Sequence, residues 1–303
     1  MNDNLNMVCF GEVLYDVFPT HRKIGGAPLN VALRLASLGI NTQIISRIGN
    51  DEIGKELLEF IQENNVSIDI IQIDETYSTG VVQVKLDSKG SATYAINYPV
   101  AWDEIECTPE AKNAVKNADV LVFGSLVCRD ETSYETLLSL LKVAKNKIFD
   151  VNLRAPFYTN DILIQLMNQA DFIKFNDDEL FQICAMYNSP FDTLEQNIHF
   201  IAEKTKTAQI CVTKGSQGAV LYHNKKLFYN NGYKVQVTDT VGSGDSFLAG
   251  LLYQLFIGNS PQNAIDFACA LGALVAQNEG ANPKIGKEEI TTFMNLKLEI
   301  NSL

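Results

Sequence analysis

The sequence lacks the features that mark a secreted protein, a membrane protein or a clustered metal site. Its six cysteines form no CxxC pair, and its three histidines show no ligand spacing. No apolar run approaches the roughly 20 residues of a membrane span, and the first residues lack the basic and apolar regions of a signal peptide. We therefore expect a reduced, cytoplasmic protein whose cysteines are small core residues.

Positive charge is also scarce. The 303 residues include 24 Lys and Arg against 36 Asp and Glu, which gives a net charge of -12. This balance argues against nucleic acid or an anionic membrane as a partner and leaves small molecules open. Neither the Walker loop GxxxxGK(S/T) nor the protein-kinase set of glycine loop, HRD and DFG is present. Any phosphate transfer must therefore use another fold.

Short apolar strands alternate with amphipathic helices along most of the chain. The predicted strands are Met7 to Phe10, Gln43 to Ile48, Val120 to Phe123, Lys147 to Val151, Phe172 to Phe175 and Gln209 to Val212. The predicted helices are Pro28 to Leu38, Glu52 to Asn64, Ser133 to Ala144, Asp161 to Asn168 and Asp178 to Met186. The alternation predicts an α/β fold with a mostly parallel sheet and helices on both faces. Because no low-complexity segment or long linker interrupts it, we expect residues 1–303 to form a single domain.

Two segments depart from this alternation. Residues 82–98 alternate between apolar and polar on either side of a turn at Asp87 to Gly90, which predicts a β-hairpin. Residues 13–18 alternate in the same way. We expect residues 13–20 and 78–102 to form a small sheet that stands off the main layer as a lid.

The most distinctive segment is Asp239-Thr240-Val241-Gly242-Ser243-Gly244-Asp245. Alternation over residues 233–237 predicts a strand before it, and helical spacing from Phe247 to Phe256 predicts a helix after it. A glycine loop at a helix N-terminus binds anions, because unpaired backbone N–H groups and the helix dipole face outward. Asp245 adds a carboxylate that anion binding does not need but that can take a proton from an attacking hydroxyl. The segment therefore predicts phosphoryl transfer.

A second glycine turn, Gly25-Gly26, precedes a helix that begins near Pro28, and Asn30 lies in the first turn of that helix. Taken alone, such a glycine pair more often marks a structural turn. Asp16 lies in an otherwise apolar strand, where a charge can be a solvated edge residue. The functional alternative is sugar binding, because a carboxylate and an amide can each bond neighbouring hydroxyl groups.

Polar residues follow several of the predicted strands. They are Asp150, Asn152 and Arg154, then Asn176 and Glu179, and finally Thr213. Ligands of open parallel sheets bind at the carboxyl ends of the strands, so these residues could line one crevice. The competing interpretations are that Asn176 only caps the next helix and that residues 213–218 only form a turn between strands.

Together the motifs resemble the ribokinase-like (PfkB) family of sugar kinases over essentially the whole chain. Gly25-Gly26-x-x-x-Asn30, followed by Gly49-x-Asp51-x-x-Gly54, is similar to its N-terminal signature. Asp239-Thr240-x-Gly242-Ser243-Gly244-Asp245 is similar to its C-terminal signature, with Ser243 where the family more often has Ala. The resemblance implies a three-layer α/β/α fold with a small β-sheet lid over the sugar.

The resemblance also implies roles for the matching residues. Asp245 would be the base, and the backbone of Gly242, Ser243 and Gly244 would form the anion hole for the γ-phosphate. The substrate-binding residues would be Asp16, Gly26, Asn30 and Arg154.

Further matches concern the nucleotide and the cations. Asn176 and Glu179 would organise Mg²⁺ and the phosphates through water. The ATP pocket would be lined by Thr213, Gly215 and Gly218. A monovalent cation such as K⁺ would bind near Asp239, Val241 and Gly280.

Within the family, three segments look most like those of fructokinases. They are Gly11-Glu12-x-x-x-Asp16, Asp150-x-Asn152-x-Arg154 and Gly280-Ala281-Asn282-Pro283. The implied reaction moves the γ-phosphate of ATP to a primary hydroxyl of free fructose. The alternatives are a kinase for 2-keto-3-deoxygluconate, whose acid group Arg154 or Arg129 could meet, and another sugar or nucleoside kinase of the family.

A non-catalytic regulator that binds sugar or nucleotide would need a broken Asp245 or a broken anion loop, and both are intact. The expected partners are therefore a small sugar and ATP, with neither nucleic acid nor membrane. The two faces of the predicted lid also suggest a homodimer in which the lids of two copies meet.

Overall fold

The computed structural model describes residues 5–86 and 92–301, in which strands alternate with helices as predicted. The strands are β1 (Asn6–Phe10), β2 (Leu14–Val17), β3 (Arg22–Gly25), β4 (Asn41–Gly49), β5 (Val66–Ser67), β6 (Ile71–Asp74), β7 (Gly80–Leu86), β8 (Ala92–Ile96), β9 (Val120–Gly124), β10 (Lys147–Asp150), β11 (Phe172–Asn176), β12 (Gln209–Thr213), β13 (Ala219–His223) and β14 (Lys226–Asn230). The helices are α1 (Ala27–Ser37), α2 (Glu52–Glu63), α3 (Pro109–Asn117), α4 (Glu131–Leu141), α5 (Asn160–Gln169), α6 (Asp177–Met186), α7 (Leu194–Thr205), α8 (Ser243–Phe256), α9 (Pro261–Ala276) and α10 (Lys287–Asn301).

The main sheet runs in the order β14-β13-β12-β11-β10-β9-β1-β4-β5, with β6 also paired to β4. Its strands are parallel from β12 across to β5, whereas β13 and β14 are antiparallel. The carboxyl ends of the parallel strands consequently lie along one edge, where the predicted polar residues follow them.

Alternate side chains of the central strands enter two different cores. Val8 and Phe10 of β1 pack with apolar residues from α3 to α7, while Met7 and Cys9 pack with α1, α2, α8 and α9. Both faces of the sheet are therefore covered, which explains why these strands read as continuous apolar runs. This three-layer α/β/α arrangement agrees with the fold class expected from the sequence.

A second sheet stands off the main one in the order β3-β2-β7-β8. Strands β7 and β8 pair antiparallel, as the hairpin pattern predicts, and β2 joins them through a parallel pairing with β7. The sheet also contains β3, which the periodicity of the sequence did not indicate. The predicted turn at Asp87 to Gly90 lies outside the described residues.

The strand predicted over residues 233–237 is wrong, because residues 231–240 adopt no regular strand. Gly232, at a positive φ of 78°, turns the chain away from β14. Tyr233 then packs against Phe293 of α10, whereas Val237 is 55% exposed. The alternation of apolar and polar residues over 233–237 therefore does not mark a strand paired with a sheet edge. It belongs to an extended connection that the Tyr233 ring anchors to α10.

Cys9, Cys211 and Cys269 are buried in β1, β12 and α9 as free thiols, as expected for core residues. In the parts of the chain that the structure describes, no helix combines the length and the apolar character needed to cross a bilayer.

Candidate active site

Helix α8 begins at the predicted anion loop. Thr240 to Ser243 form a tight turn in which Gly242 has a φ of 72° and the Ser243 amide donates to the Thr240 carbonyl oxygen at 3.2 Å. The Ser243 hydroxyl also donates to the carbonyl oxygen of Gly272, at 2.9 Å. The loop is thus tied down on both sides, and the first turn of α8 directs its remaining N–H groups out of the helix.

Gly242 has no room for a side chain. A Cβ there would lie 2.5 Å from Ala281 Cα and 2.9 Å from the Ala281 carbonyl oxygen. By contrast, a Cβ at Gly244 would meet nothing closer than Lys174 Nζ, at 3.8 Å. Gly242 is therefore required by packing, while Gly244 lies open toward a buried ammonium group.

Asp245 lies in the first turn of α8 and is held from the opposite end of the chain. Asn30 Nδ2, in α1, donates to Asp245 Oδ2 at 2.8 Å, and Asn282 Nδ2 donates to Asn30 Oδ1 at 2.9 Å. Burial raises the pKa of Asp245 to about 6, and the charge of Asp150 acts in the same direction, whereas the Asn30 hydrogen bond and Lys174 oppose it. A carboxyl with this pKa is ionised at neutral pH but close enough to it to accept a proton.

Lys174 and Asp150 form a buried ion pair beside the anion loop. Lys174 Nζ lies 2.8 and 2.9 Å from the two carboxylate oxygens of Asp150, which is its register partner on β10. Burial alone would lower the pKa of Lys174, but Asp150 and Glu179 outweigh it and raise that pKa. The ammonium therefore stays charged next to Gly244.

Asn176 and Glu179 form a capping box at the start of α6. The Asn176 side chain accepts from the Glu179 amide, and Glu179 Oε2 accepts from the Asn176 amide, both at 2.8 Å. Glu179 Oε1 accepts a further bond from the Leu153 amide at 2.9 Å. Asn176 therefore caps α6, which does not by itself exclude a further role, and the buried Glu179 carboxylate faces the same crevice as Lys174.

The second sheet carries Asp16, in β2, to the same edge of the main sheet. The Asp16 carboxylate lies against Gly25, where a Cβ would be 2.5 Å from Oδ2. Burial raises the pKa of Asp16 to about 6, while the nearby charges of Arg154 and Lys23 lower it. Arg154 is exposed and also acts on Asp245, so it lies at the mouth of the crevice between the second sheet and α8.

Gly26 forms the N-cap of α1 at a φ of 109°, where a Cβ would collide with the Glu12 carbonyl oxygen. The buried Glu12 carboxyl bonds the Ala27 amide, and its Oε2 has no partner in the described part of the chain. Burial raises the pKa of Glu12 to about 7. Gly26 therefore meets a close backbone approach, and a second carboxyl lies beside it.

The three residues predicted for the ATP pocket are near β12 but differ in character. Thr213 ends the strand opposite Asn176, and Gly215 is exposed in a short 3-10 turn. Gly218 is buried, and a Cβ there would lie 2.3 Å from the Gly232 amide nitrogen. Gly218 thus has a packing reason to be glycine that is independent of any nucleotide.

Asp239, Val241 and Gly280 come together as predicted for a cation site, but a lysine joins them. Asp239 accepts from the amides of Val241 and Gly280, each at 3.0 Å, and Lys23 Nζ lies 3.2 Å from its Oδ2. Although burial alone would raise it, these three donors lower the pKa of Asp239. The recorded partners of the Asp239 carboxylate are thus two amides and an ammonium group, so one positive charge already occupies the expected cation position.

The sequence profile of the pfkB family carbohydrate kinases matches residues 3–287. The chain belongs to this family. It is 29% identical to the probable fructokinase-6, chloroplastic, of Arabidopsis thaliana, over 93% of this chain and 80% of that protein. The crystal structure of the sugar kinase PH1459 of Pyrococcus horikoshii superposes with a TM-score of 0.81 at 26% identity, covering 96% of this chain and 98% of that one.

A more distant structure shares the fold. The fructokinase of Vibrio cholerae, crystallised with fructose, ADP and calcium, has a TM-score of 0.83 at 22% identity, over 97% of this chain and all of that one. Membership of the pfkB family makes this protein a sugar kinase, and therefore a phosphotransferase.

Three residues of the crevice had no role assigned from the sequence. Lys174 is a lysine inside an apolar strand, a pattern that could have identified it. Glu12 and Asn282 belong to segments noted only for their likeness to fructokinases. Within the described residues, no three His, Cys, Asp or Glu side chains are grouped as metal ligands.

We expect Gly242→Ala to lower the free energy of unfolding by about 1–3 kcal/mol, because it forces a side chain into the left-handed region and against Ala281. The matched control is Gly286→Ala, since Gly286 has nothing within 4 Å of its Cβ position. Urea unfolding of both variants measures the difference. Equal stability of the two variants would contradict the packing role of Gly242.

Proposed function

We propose that this chain is an ATP- and Mg²⁺-dependent fructokinase in which Asp245 is the general base. The observation that carries the proposal is the position of Asp245. It is a carboxyl with a pKa of about 6 in the first turn of α8, bonded to Asn30 and close to the Lys174 ammonium. A base, an anion-binding helix end and a buried cation thus meet in one crevice.

In the proposed reaction the primary hydroxyl of the sugar gives its proton to Asp245. The hydroxyl oxygen forms a bond to the γ-phosphorus while the bond from that phosphorus to the β-phosphate oxygen breaks, and ADP leaves. The first-turn N–H groups of α8 and the Lys174 ammonium offset the negative charge of the moving phosphoryl group. Because Lys174 already pairs with Asp150, its position is held before ATP binds.

Mg²⁺ would be held beside Asn176 and Glu179. Both carboxylate oxygens of Glu179 already accept backbone N–H groups, so their remaining lone pairs suit bonds to water molecules of a hydrated ion. When bound, Mg²⁺ supplies charge stabilisation to the phosphates. ATP as the donor is supported by PH1459, whose crystal structure is also known in complex with ATP.

Fructose is favoured by the relatives and by the charges of the crevice. The Arabidopsis and Vibrio cholerae relatives are named as fructokinases, and the latter was crystallised with fructose. Arg129 is unsuited to a sugar acid, because it is buried and paired with Asp103 at 2.7 Å. The carboxyl groups of Glu12, Asp16 and Asp245 lie within electrostatic range of Arg154, so an acidic substrate bound by Arg154 would also meet their negative charge.

The test of substrate identity is a coupled ADP-release assay with ATP, Mg²⁺ and a panel of fructose, ribose, 2-keto-3-deoxygluconate and nucleosides. We expect fructose to have the highest kcat/KM. A much higher value for 2-keto-3-deoxygluconate would overturn the fructose assignment and leave the sugar-kinase family intact. Adding K⁺ or omitting it in the same assay tests the predicted cation dependence.

Asp245→Asn should lower kcat by about 10²–10⁴, the usual contribution of a general base, and leave sugar binding nearly intact. In the wild type, kcat should fall as the pH drops through about 6, because protonated Asp245 cannot accept the proton. The matched control is Asp161→Asn, an exposed aspartate in the first turn of α5. More than half of the wild-type kcat in Asp245→Asn would rule out the base.

The lid should close over bound sugar and keep water from the phosphate. Hydrogen exchange in residues 80–86, 92–96 and around Asp16 should slow when fructose binds. Asp16→Ala should weaken fructose binding roughly 10- to 150-fold in calorimetry, because hydrogen bonds to charged groups contribute about 1.5–3 kcal/mol. If hydrogen exchange in these residues does not change when fructose binds, and the Kd of Asp16→Ala for fructose equals that of the wild type, the lid and Asp16 have only a structural role.

The homodimer through the lid remains a prediction. The molecular mass of the protein in solution tests it.

A further inference from the structure

The segment from Gly280 to Pro283 packs directly against the candidate catalytic loop. Ala281 fills the space beside Gly242, and the carbonyl oxygen of Pro283 accepts from Arg34 Nη2 at 3.0 Å. Arg34 in turn donates from Nε to the hydroxyl of Ser246, the residue after Asp245, at 3.1 Å. The segment is therefore anchored to both α1 and α8, and Asn282 projects from it toward Asn30.

The two amide side chains and the carboxylate form a chain with one direction. Asn30 Oδ1 accepts from Asn282 Nδ2 at 2.9 Å, so Asn30 Nδ2 is the group that faces Asp245 Oδ2, at 2.8 Å. If the Asn30 amide turned over, its carbonyl oxygen would face the carboxylate, and neither atom could donate. The donor on Asn282 opposes that turn, because it would then face the NH₂ group of Asn30.

We propose that Asn282 is a positioning residue for phosphoryl transfer, which orients the Asn30 amide so that it donates to Asp245 and holds that carboxylate toward the sugar hydroxyl. The inference rests on the proposed role of Asp245 as base. Asn282 acts through Asn30, with no contact to Asp245 of its own among the described hydrogen bonds.

The consequence for protonation follows from the surroundings of Asp245. The Asn30 hydrogen bond lowers the pKa of Asp245, and it is the contribution that depends on Asn282. Losing this bond should raise the pKa, so a larger fraction of the base is protonated at neutral pH. The charged groups facing Asp245 and its neighbour Ser246 are Glu12 beside α1, Arg34 on α1, Asp150 on β10, Lys174 on β11 and Arg154 after β10. All of these remain in an Asn282 variant.

The test is the pH profile of kcat, measured with the sugar that gives the highest kcat/KM in the substrate panel described above. Two variants are compared with the wild type, each with a side chain close in size to that of Asn282. Asn282→Leu removes the donor, and Asn282→Asp replaces it with an acceptor that attracts the NH₂ group of Asn30. We expect the acid limb to move up by about one pH unit in Asn282→Leu and further in Asn282→Asp. At pH 6.5 kcat should fall several-fold, with much of the loss recovered at about pH 8.5.

Two controls separate positioning from general damage. Lys284→Ala changes the exposed residue that directly follows the segment and should keep the wild-type profile. In the Asp245→Asn background, Asn282→Leu should change kcat less than two-fold, because the carboxylate it orients is gone. Urea unfolding shows whether each variant is folded, which matters because the Asn282 side chain ends in a buried oxygen.

The outcomes distinguish this inference from the proposed function. If Asp245→Asn keeps more than half of the wild-type kcat, the base assignment fails and the positioning role fails with it. If Asp245→Asn loses at least 100-fold but the acid limb stays in place in both folded Asn282 variants, the positioning role alone is overturned. A loss that is equal at every pH would likewise assign Asn282 to structure.

Discussion

Helices α1 and α8 begin at the same edge of the sheet, and the candidate site lies between their first turns. Helix α1 follows the Gly25-Gly26 turn and α8 follows the Gly242 turn, and the Asn30 to Asp245 hydrogen bond joins their first turns. Both turns require glycine because backbone from elsewhere occupies the Cβ position. The hydrogen bond from Asn30 to Asp245 therefore joins two helix starts that are each fixed by a close contact at a glycine turn.

The crevice contains more negative than positive charge. The carboxyl groups of Glu12, Asp16 and Asp245 face Arg154, and those of Asp150 and Glu179 face Lys174. Burial raises the pKa of Glu12, Asp16 and Asp245 into the range of 6 to 7, where each can exchange a proton near neutral pH. The same surplus favours a neutral sugar over an acidic one, and it suits a nucleotide that arrives with a divalent cation.

Much of the fold could be predicted because its signals are local. The predicted strands end within two residues of those observed, and the predicted helices within three, since apolar periodicity and caps such as Asp51 and Thr159 act over a few residues. The prediction of a strand over residues 233–237 was wrong because strand formation there depends on a contact that is not local. Alternation describes a side-chain pattern, whereas a strand also needs a partner edge, and Gly232 turns the chain away from the available one.

The sequence by itself determined the glycine turns, the carboxylate that follows the second turn and the order of strands and helices, because these depend on residues close together in the chain. Only the tertiary structure decided which charges meet. It paired Arg129 with Asp103 and left Arg154 at the crevice, and it placed Lys174 beside Gly244. It also joined Asn282 to Asn30 across 252 residues of sequence. Such contacts join residues that are far apart in the chain and meet only when helices pack on the two faces of the sheet, a relation that no local pattern contains.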